Sequence, residues 1–319
     1  MDVLIHTASQ MLVLFIIMLL GGIARKMRLM NDAFDAKLSS LVMQFALPAM
    51  LLSSVLNNTN LPSTETILLV LLYSTVVYIV TCTLAYLIMR FCYRGVPLSA
   101  KGSHAFLICF GNTGFIGFAL LDAVFGSDAV LYGAIYNIPY NFFLFSVGML
   151  FIARTGSSAK KAQGFKENAR VIAKSLITPA MISCIIAMFL AIFHITDDGI
   201  IGKTCELLGG LTIPAAMLLV GSTNAKMPIK EMLGDKWSYV TTMMRLVCIP
   251  LLVFVVGGFF IQDRYLLAII VLICATPAAS VGTMMSLAYE GDTLSMARGT
   301  FLTTVVSLAT LPLIALIVV

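Results

Sequence analysis

The chain has 319 residues, of which 60% are hydrophobic and 11% charged, with a net charge of +5 at pH 7. A mean hydropathy of +1.01 describes far more apolar surface than a water-soluble core of this length can hide, which excludes a soluble domain and leaves a polytopic membrane protein. In a soluble domain that charge would suggest nucleic acid, but here Lys and Arg gather in short loops between apolar runs, the orientation signal of membrane insertion, so nucleic-acid binding is rejected. The seven cysteines lie mostly within apolar runs, with no Cys-x-x-Cys pair and no His cluster nearby, so neither a disulfide framework, nor a zinc site, nor any other metal or cofactor is expected. Asp2, with no Lys or Arg ahead of the first apolar run, does not read as a cleaved signal peptide.

About 20 apolar residues are needed for a helix to cross a bilayer, and ten such runs are predicted. They cover 7–25, 37–56, 66–90, 104–125, 129–153, 174–194, 201–223, 237–261, 265–289 and 293–318, here numbered spans 1 to 10. Span 2 carries Gln44 and Pro48, and span 7 carries Glu206, Gly209, Gly210 and Pro214, so both are expected to face protein rather than lipid. Sixteen of the twenty basic residues fall on one side. They are Arg25, Lys26, Arg28 and Lys37 after span 1, Arg90, Arg94 and Lys101 after span 3, Arg154, Lys160, Lys161, Lys166, Arg170 and Lys174 after span 5, and Lys226, Lys230 and Lys236 after span 7. The positive-inside rule makes that side cytoplasmic and puts both termini outside, in a multi-pass protein of the cell's inner (plasma) membrane.

The polar stretch 156–173 reads as a cytoplasmic linker, with one five-helix repeat in 1–155 and a second in 174–319. Two echoes support the repeat. Cys109 to Gly117, Cys-Phe-Gly-Asn-Thr-Gly-Phe-Ile-Gly, is matched by Cys274-Ala-Thr-Pro-Ala-Ala-Ser-Val-Gly282, and Gly126 by Gly291, both offset by 165 residues. Pro48-Ala49-Met50-Leu51-Leu52 with Pro62 is matched by Pro214 to Leu219 with Pro228, offset by 166. Five helices per copy is an odd number, so the second copy enters the membrane inverted, an arrangement common among secondary transporters. The paired glycines and backbone-bonding side chains of Gly111-Asn112-Thr113-Gly114 weaken span 4 as a helix, and Pro277 breaks span 9.

Ala46 to Ser53, Gly111 to Gly117, Pro214 to Gly221 and Ala275-Thr276-Pro277 together resemble the auxin efflux carrier family, which holds plant PIN-type carriers and many bacterial carriers of small organic acids. The resemblance covers nearly the whole chain. It implies an all-α protein of ten transmembrane helices in two inverted five-helix repeats, with helices 4 and 9 broken and crossed. It also implies a homodimer in which helices 1, 2, 6 and 7 form a scaffold and helices 3–5 and 8–10 a mobile transport part. The chain lacks the long hydrophilic loop of the plant carriers, and has Phe118-Ala119 where the family often has a proline after Ile-Gly.

Broken helices present N–H groups with about half a positive charge per end. Asn112, Thr113 and Gly114 from span 4, with Thr276, Pro277 and Ser280 from span 9, are expected to line an anion site there. The alternative is that they only satisfy broken backbone. Asn137, Tyr140 and Asn141 flank Pro139 in span 5 and either touch substrate or act as interhelical glue; Gln44, four residues before Pro48, either faces the site from the scaffold or is glue, and glue is favoured. Among charged residues, Arg245 either counters a carboxylate or snorkels, and its place eight residues into span 8 favours snorkelling. Arg298 attracts anions or pairs with Glu290 or Asp292, and pairing is favoured; Asp122 and Glu206, toward the outer face, either take and release a proton during turnover or are hydrated end residues. His6, His104 and His194 are expected at membrane interfaces. No Walker-type loop, His-Glu-x-x-His or Gly-x-Ser-x-Gly motif occurs, so the chain reads as a gradient-driven carrier of a small organic anion and not as an enzyme. The alternatives are a cation/proton antiporter or sodium-coupled symporter of related fold, and an intramembrane enzyme or membrane sensor. The first is disfavoured because neither Asp nor Glu lies in Gly111 to Gly117 or Cys274 to Gly282.

Overall fold

Helices form where the apolar runs place them, and polar caps set their ends. The computed structural model describes residues 2–58, 61–153, 155, 177–197, 199–226, 233 and 235–318. The expected linker 156–173, with Arg154, Lys174, Pro228, Lys230 and the side chain of His6, lies outside what is described. The helices are α1 (Asp2–Lys26), α2 (Asp32–Leu56), α3 (Thr64–Phe91), α4 (Leu98–Cys109), α5 (Thr113–Phe125) and α6 (Asp128–Ala153). They continue with α7 (Pro179–Ile192), α8 (Ile200–Asn224), α9 (Lys236–Phe260), α10 (Arg264–Cys274), α11 (Val281–Ala288) and α12 (Thr293–Val318). Six of them, α2, α3, α6, α8, α9 and α12, are long and apolar enough to cross a membrane. Among the described residues there is no strand, only one isolated antiparallel bridge between Gly111 and Ala278. This is an all-α membrane protein.

Local chemistry explains the boundaries. Asn31, Thr178, Asp235 and Asp263 each accept from a backbone N–H of the first turn of α2, α7, α9 and α10. Such caps satisfy donors that a helix cannot satisfy internally. Pro48 and Pro250 sit inside α2 and α9, where a proline removes one backbone bond and its ring presses on the carbonyl four residues back. A wider π-turn just before each, Val42–Ala46 and Met244–Cys248, absorbs the conflict and lets the helix continue.

The chain forms two units. The first comprises residues 1–72, 113–138 and 177–228. Its core is built on Leu47, Met50, Leu51, Phe118, Val130, Ala134 and Cys184. Here α1 lies so close to α8 that a Cβ on Gly21 would fall 2.7 Å from Leu218 Cα, and one on Gly221 2.8 Å from the Met18 carbonyl carbon. Small residues at both contacts allow backbones to approach where lipid supplies no hydrophobic drive. One ionic cluster ties α1, α2 and α8. Arg25 contacts Asp32 and Asp35, Lys226 reaches Asp32 at 2.8 Å, and Ser222 donates to Asp35 at 2.7 Å.

The second unit comprises 73–112, 139–176 and 229–319. Every residue of α10 from Leu266 to Cys274 is buried, as a helix apolar on all faces requires. Ala105 to Cys109 of α4 are buried as well. Gly282 seats the Phe106 ring and Gly299 the Leu107 side chain. His104, expected at an interface, is instead 1% exposed. Its Nδ1 and the Tyr93 hydroxyl each lie 2.8 Å from Thr241 Oγ, because a ring this deep needs a polar partner.

Candidate functional site

Spans 4 and 9 are the expected runs that the structure interrupts. Helix α4 stops at Cys109 and α5 begins at Thr113; α10 stops at Cys274 and α11 begins at Val281. Within the second unit the two gaps bond to each other. Asn112 N donates to Pro277 O at 2.7 Å and Ala279 N donates to Phe110 O at 2.9 Å, on either side of the Gly111–Ala278 bridge. Ala278 N donates to Thr303 Oγ of α12 at 3.1 Å. Backbone freed from a helix inside a membrane must find such partners, and here each gap finds them largely in the other.

Gly111 is dictated by space. A Cβ there would sit 3.0 Å from the Arg245 guanidinium carbon and closer still to Arg245 Nη2 and Thr276 Oγ. Arg245 does not snorkel: it is 2% exposed. Its Nε donates to Thr276 O at 2.9 Å, Nη1 to Cys109 O at 3.0 Å and Ile108 O at 3.3 Å, and Nη2 to Thr276 Oγ at 3.4 Å. Snorkelling presumes an unsatisfied charge, and these carbonyls hold the charge where it is.

Of the other expected residues in this unit, Thr276 is fully buried and its hydroxyl donates to Ile273 O at 2.7 Å. Tyr140 donates to Gly111 O at 2.8 Å and packs against Tyr78 and Phe110 at ring separations of 5.6 and 6.2 Å. Asn112 is 8% exposed, Asn141 half-buried and Ser280 exposed. Arg298 is half-buried in α12, whose first turn Asp292 caps by accepting from Ser295 N at 3.0 Å.

In the first unit, Thr113 donates to Asn137 Oδ1 at 2.7 Å and Asn137 Nδ2 to Gly133 O at 3.0 Å, so both are buried and joined. Gly114 has nothing within 4 Å of where a side chain would start. Gln44 is exposed and donates to Ser40 Oγ at 2.6 Å. Glu206 is exposed and accepts from Asn57 at 3.3 Å, at the junction of α2 and α8, while Asp122 is half-buried in α5. Sequence reasoning missed Tyr78 and Thr303, which sit in ordinary apolar helical runs with nothing to mark them. Gly111 was legible as a breaker but not as the seat of a guanidinium.

Residues 6–315 match the family described as membrane transport protein. An uncharacterized transporter of Methanothermobacter thermautotrophicus is 20% identical over 307 residues, covering 96% of this chain and 97% of that protein. One of Methanocaldococcus jannaschii is 21% identical over 309 residues, covering 95% and 96%. With the motifs around Pro48, Gly111, Pro214 and Pro277 in place, the chain belongs to this membrane transport family, the auxin efflux carriers.

Proposed function

We propose that the protein is a secondary active transporter of a small organic anion, a carboxylate, working by elevator-type alternating access. The observation that carries this reading is the pair of interrupted helices, α4/α5 and α10/α11, whose gaps bond to each other beside a buried cation with no acidic residue in either gap. A buried cation and polar side chains at bilayer depth suit a bound anion, whereas a cation carrier would use a carboxylate there.

In this reading ten helices cross the inner membrane as two inverted repeats, with both termini outside. The interruptions cross as broken helices 4 and 9. Spans 1, 2, 6 and 7 form the dimerising scaffold of a homodimer and spans 3–5 and 8–10 carry the site. Asn112, Thr113, Gly114, Thr276, Pro277 and Ser280 surround the anion, with Asn137, Tyr140, Asn141 and Gln44 beside it. The Asn112 amide and Ser280 hydroxyl donate to the carboxylate, while the hydroxyl protons of Thr113 and Thr276 are committed to protein acceptors. Asp122 and Glu206 are the groups through which a proton gradient would couple.

Reconstitution into liposomes tests the reading. The wild type should accumulate a labelled carboxylate, driven by an imposed ion gradient, without altering it, and Asn112→Ala should lose at least about 90% of that flux while remaining monodisperse, since removing a hydrogen bond to a charged group is worth about 1.5–3 kcal/mol. Undiminished flux in Asn112→Ala removes it from the site, and chemical change in the solute would make the protein an enzyme.

A further inference from the structure

We infer that Arg245 sets the charge sign of this site: its guanidinium cancels the negative ends of α4 and α10 and leaves a positive field that selects a negatively charged solute. The inference deepens the transport reading and rests on it.

An interrupted helix by itself has no preference for either sign. Each gap joins one helix C-terminus, carrying about half a negative charge, to one N-terminus carrying about half a positive charge, and the two offset each other. The bias has to come from a side chain. Arg245 is that side chain, because three of its hydrogen bonds to described residues go to backbone carbonyls where α4 and α10 end and the fourth goes to the Thr276 hydroxyl beside them. Ile108 O and Cys109 O are the last carbonyls of α4, and Thr276 O and Oγ lie in the turn that leaves α10, two residues past Cys274. One full positive charge meets two half-negative ends. Among the described residues Arg245 meets no carboxylate, whereas Arg25 and Lys226 are paired with Asp32 and Asp35.

Residues 104–121 and 265–289 contain no Asp or Glu, so neither interrupted run supplies a carboxylate to the positive end of α11 at Val281. The residue type is specific to the task. A planar fork with five donors reaches carbonyls on two chain segments at once, which a Lys ammonium on a flexible stem does not. Gly111 keeps the passage for the fork open, since any side chain there collides with it. A fully buried arginine without an acidic partner is expensive to maintain, and serving as the fixed counter-charge of a solute explains its presence.

The test measures binding to purified protein of two matched pairs, benzoate against benzamide and propionate against propionamide, for the wild type, Arg245→Lys and Arg245→Gln. Each amide has its acid's shape without the charge. The wild type should prefer the acid by about tenfold or more, as charge-assisted hydrogen bonds are roughly twice as strong as neutral ones. Arg245→Lys, which keeps the charge and loses the fork, should bind less tightly and retain the preference. Arg245→Gln should bind acid and amide within about twofold of each other, or fail to fold while Arg245→Lys folds. The inference is overturned if Arg245→Gln keeps the wild-type preference, or if Arg245→Lys loses it or does not fold, because the fork is then a clasp and its charge is incidental. A wild type that binds acids and amides equally, or neither, sinks the transport reading and this inference with it; loss of the inference alone shows as a wild-type preference that survives in Arg245→Gln.

Discussion

Gly111 shows how one missing methyl group organises a membrane site. The guanidinium of Arg245 and the hydroxyl of Thr276 occupy the space where its Cβ would stand. Gly111→Ala must therefore push the fork off the α4 carbonyls, and overpacking of this kind costs about 1–3 kcal/mol. Heating the detergent-solubilised variant should show it unfolding several degrees below the wild type. Gly114→Ala, three residues on, has open space around it and should unfold at or above the wild-type temperature, since alanine restricts the unfolded chain more than glycine. Equal losses in both would mean that helix geometry, and not the seat of the guanidinium, makes glycine necessary at 111. The neighbouring Tyr140 belongs to the same scale, because its hydroxyl holds the carbonyl of Gly111 and so fixes the direction in which the gap opens.

Among the elements, α9 depends visibly on its cap. Asp235 is partly shielded, which works to raise its pKa, but bonds from the Ser238 N–H and hydroxyl at 2.9 and 3.0 Å outweigh that and hold it below its ordinary 3.8. A carboxyl depressed by folding adds stability above its unfolded value, and that stability disappears as pH falls through the folded value. Asp235→Asn keeps a capping oxygen and loses the charge. The wild type should outlast this variant at pH 7, and the gap in unfolding temperature should close as the pH is lowered below about 4. A gap that stays constant from pH 7 to pH 3 would assign the effect to shape. The π-turns before Pro48 and Pro250 make a complementary point: each proline announces itself in the sequence, yet the helix continues past it.

For the whole molecule, the first unit hangs on the close approach of α1 and α8, where Gly21 and Gly221 let backbone meet backbone. Gly221→Val should separate these helices, costing about 2–3 kcal/mol or more, and turn a monodisperse elution profile into an aggregated one. Retention of the wild-type profile would show that the ionic cluster of Arg25, Asp32, Asp35 and Lys226 suffices to hold them. The membrane class, its all-α character and the two weak points at Gly111 and Pro277 were legible in the sequence, because apolar run length and helix-breaking residues are local properties that each segment expresses by itself. What bonds to what was not. Arg245 reads from its position in the chain as a residue within reach of the surface, and His104 as one at an interface, yet both are buried. Their partners, the carbonyls of Ile108, Cys109 and Thr276 and the hydroxyl of Thr241, are 31 to 137 residues away in sequence. A charge or a ring takes its environment from the segments folded against it, and only the tertiary structure decides which segments those are.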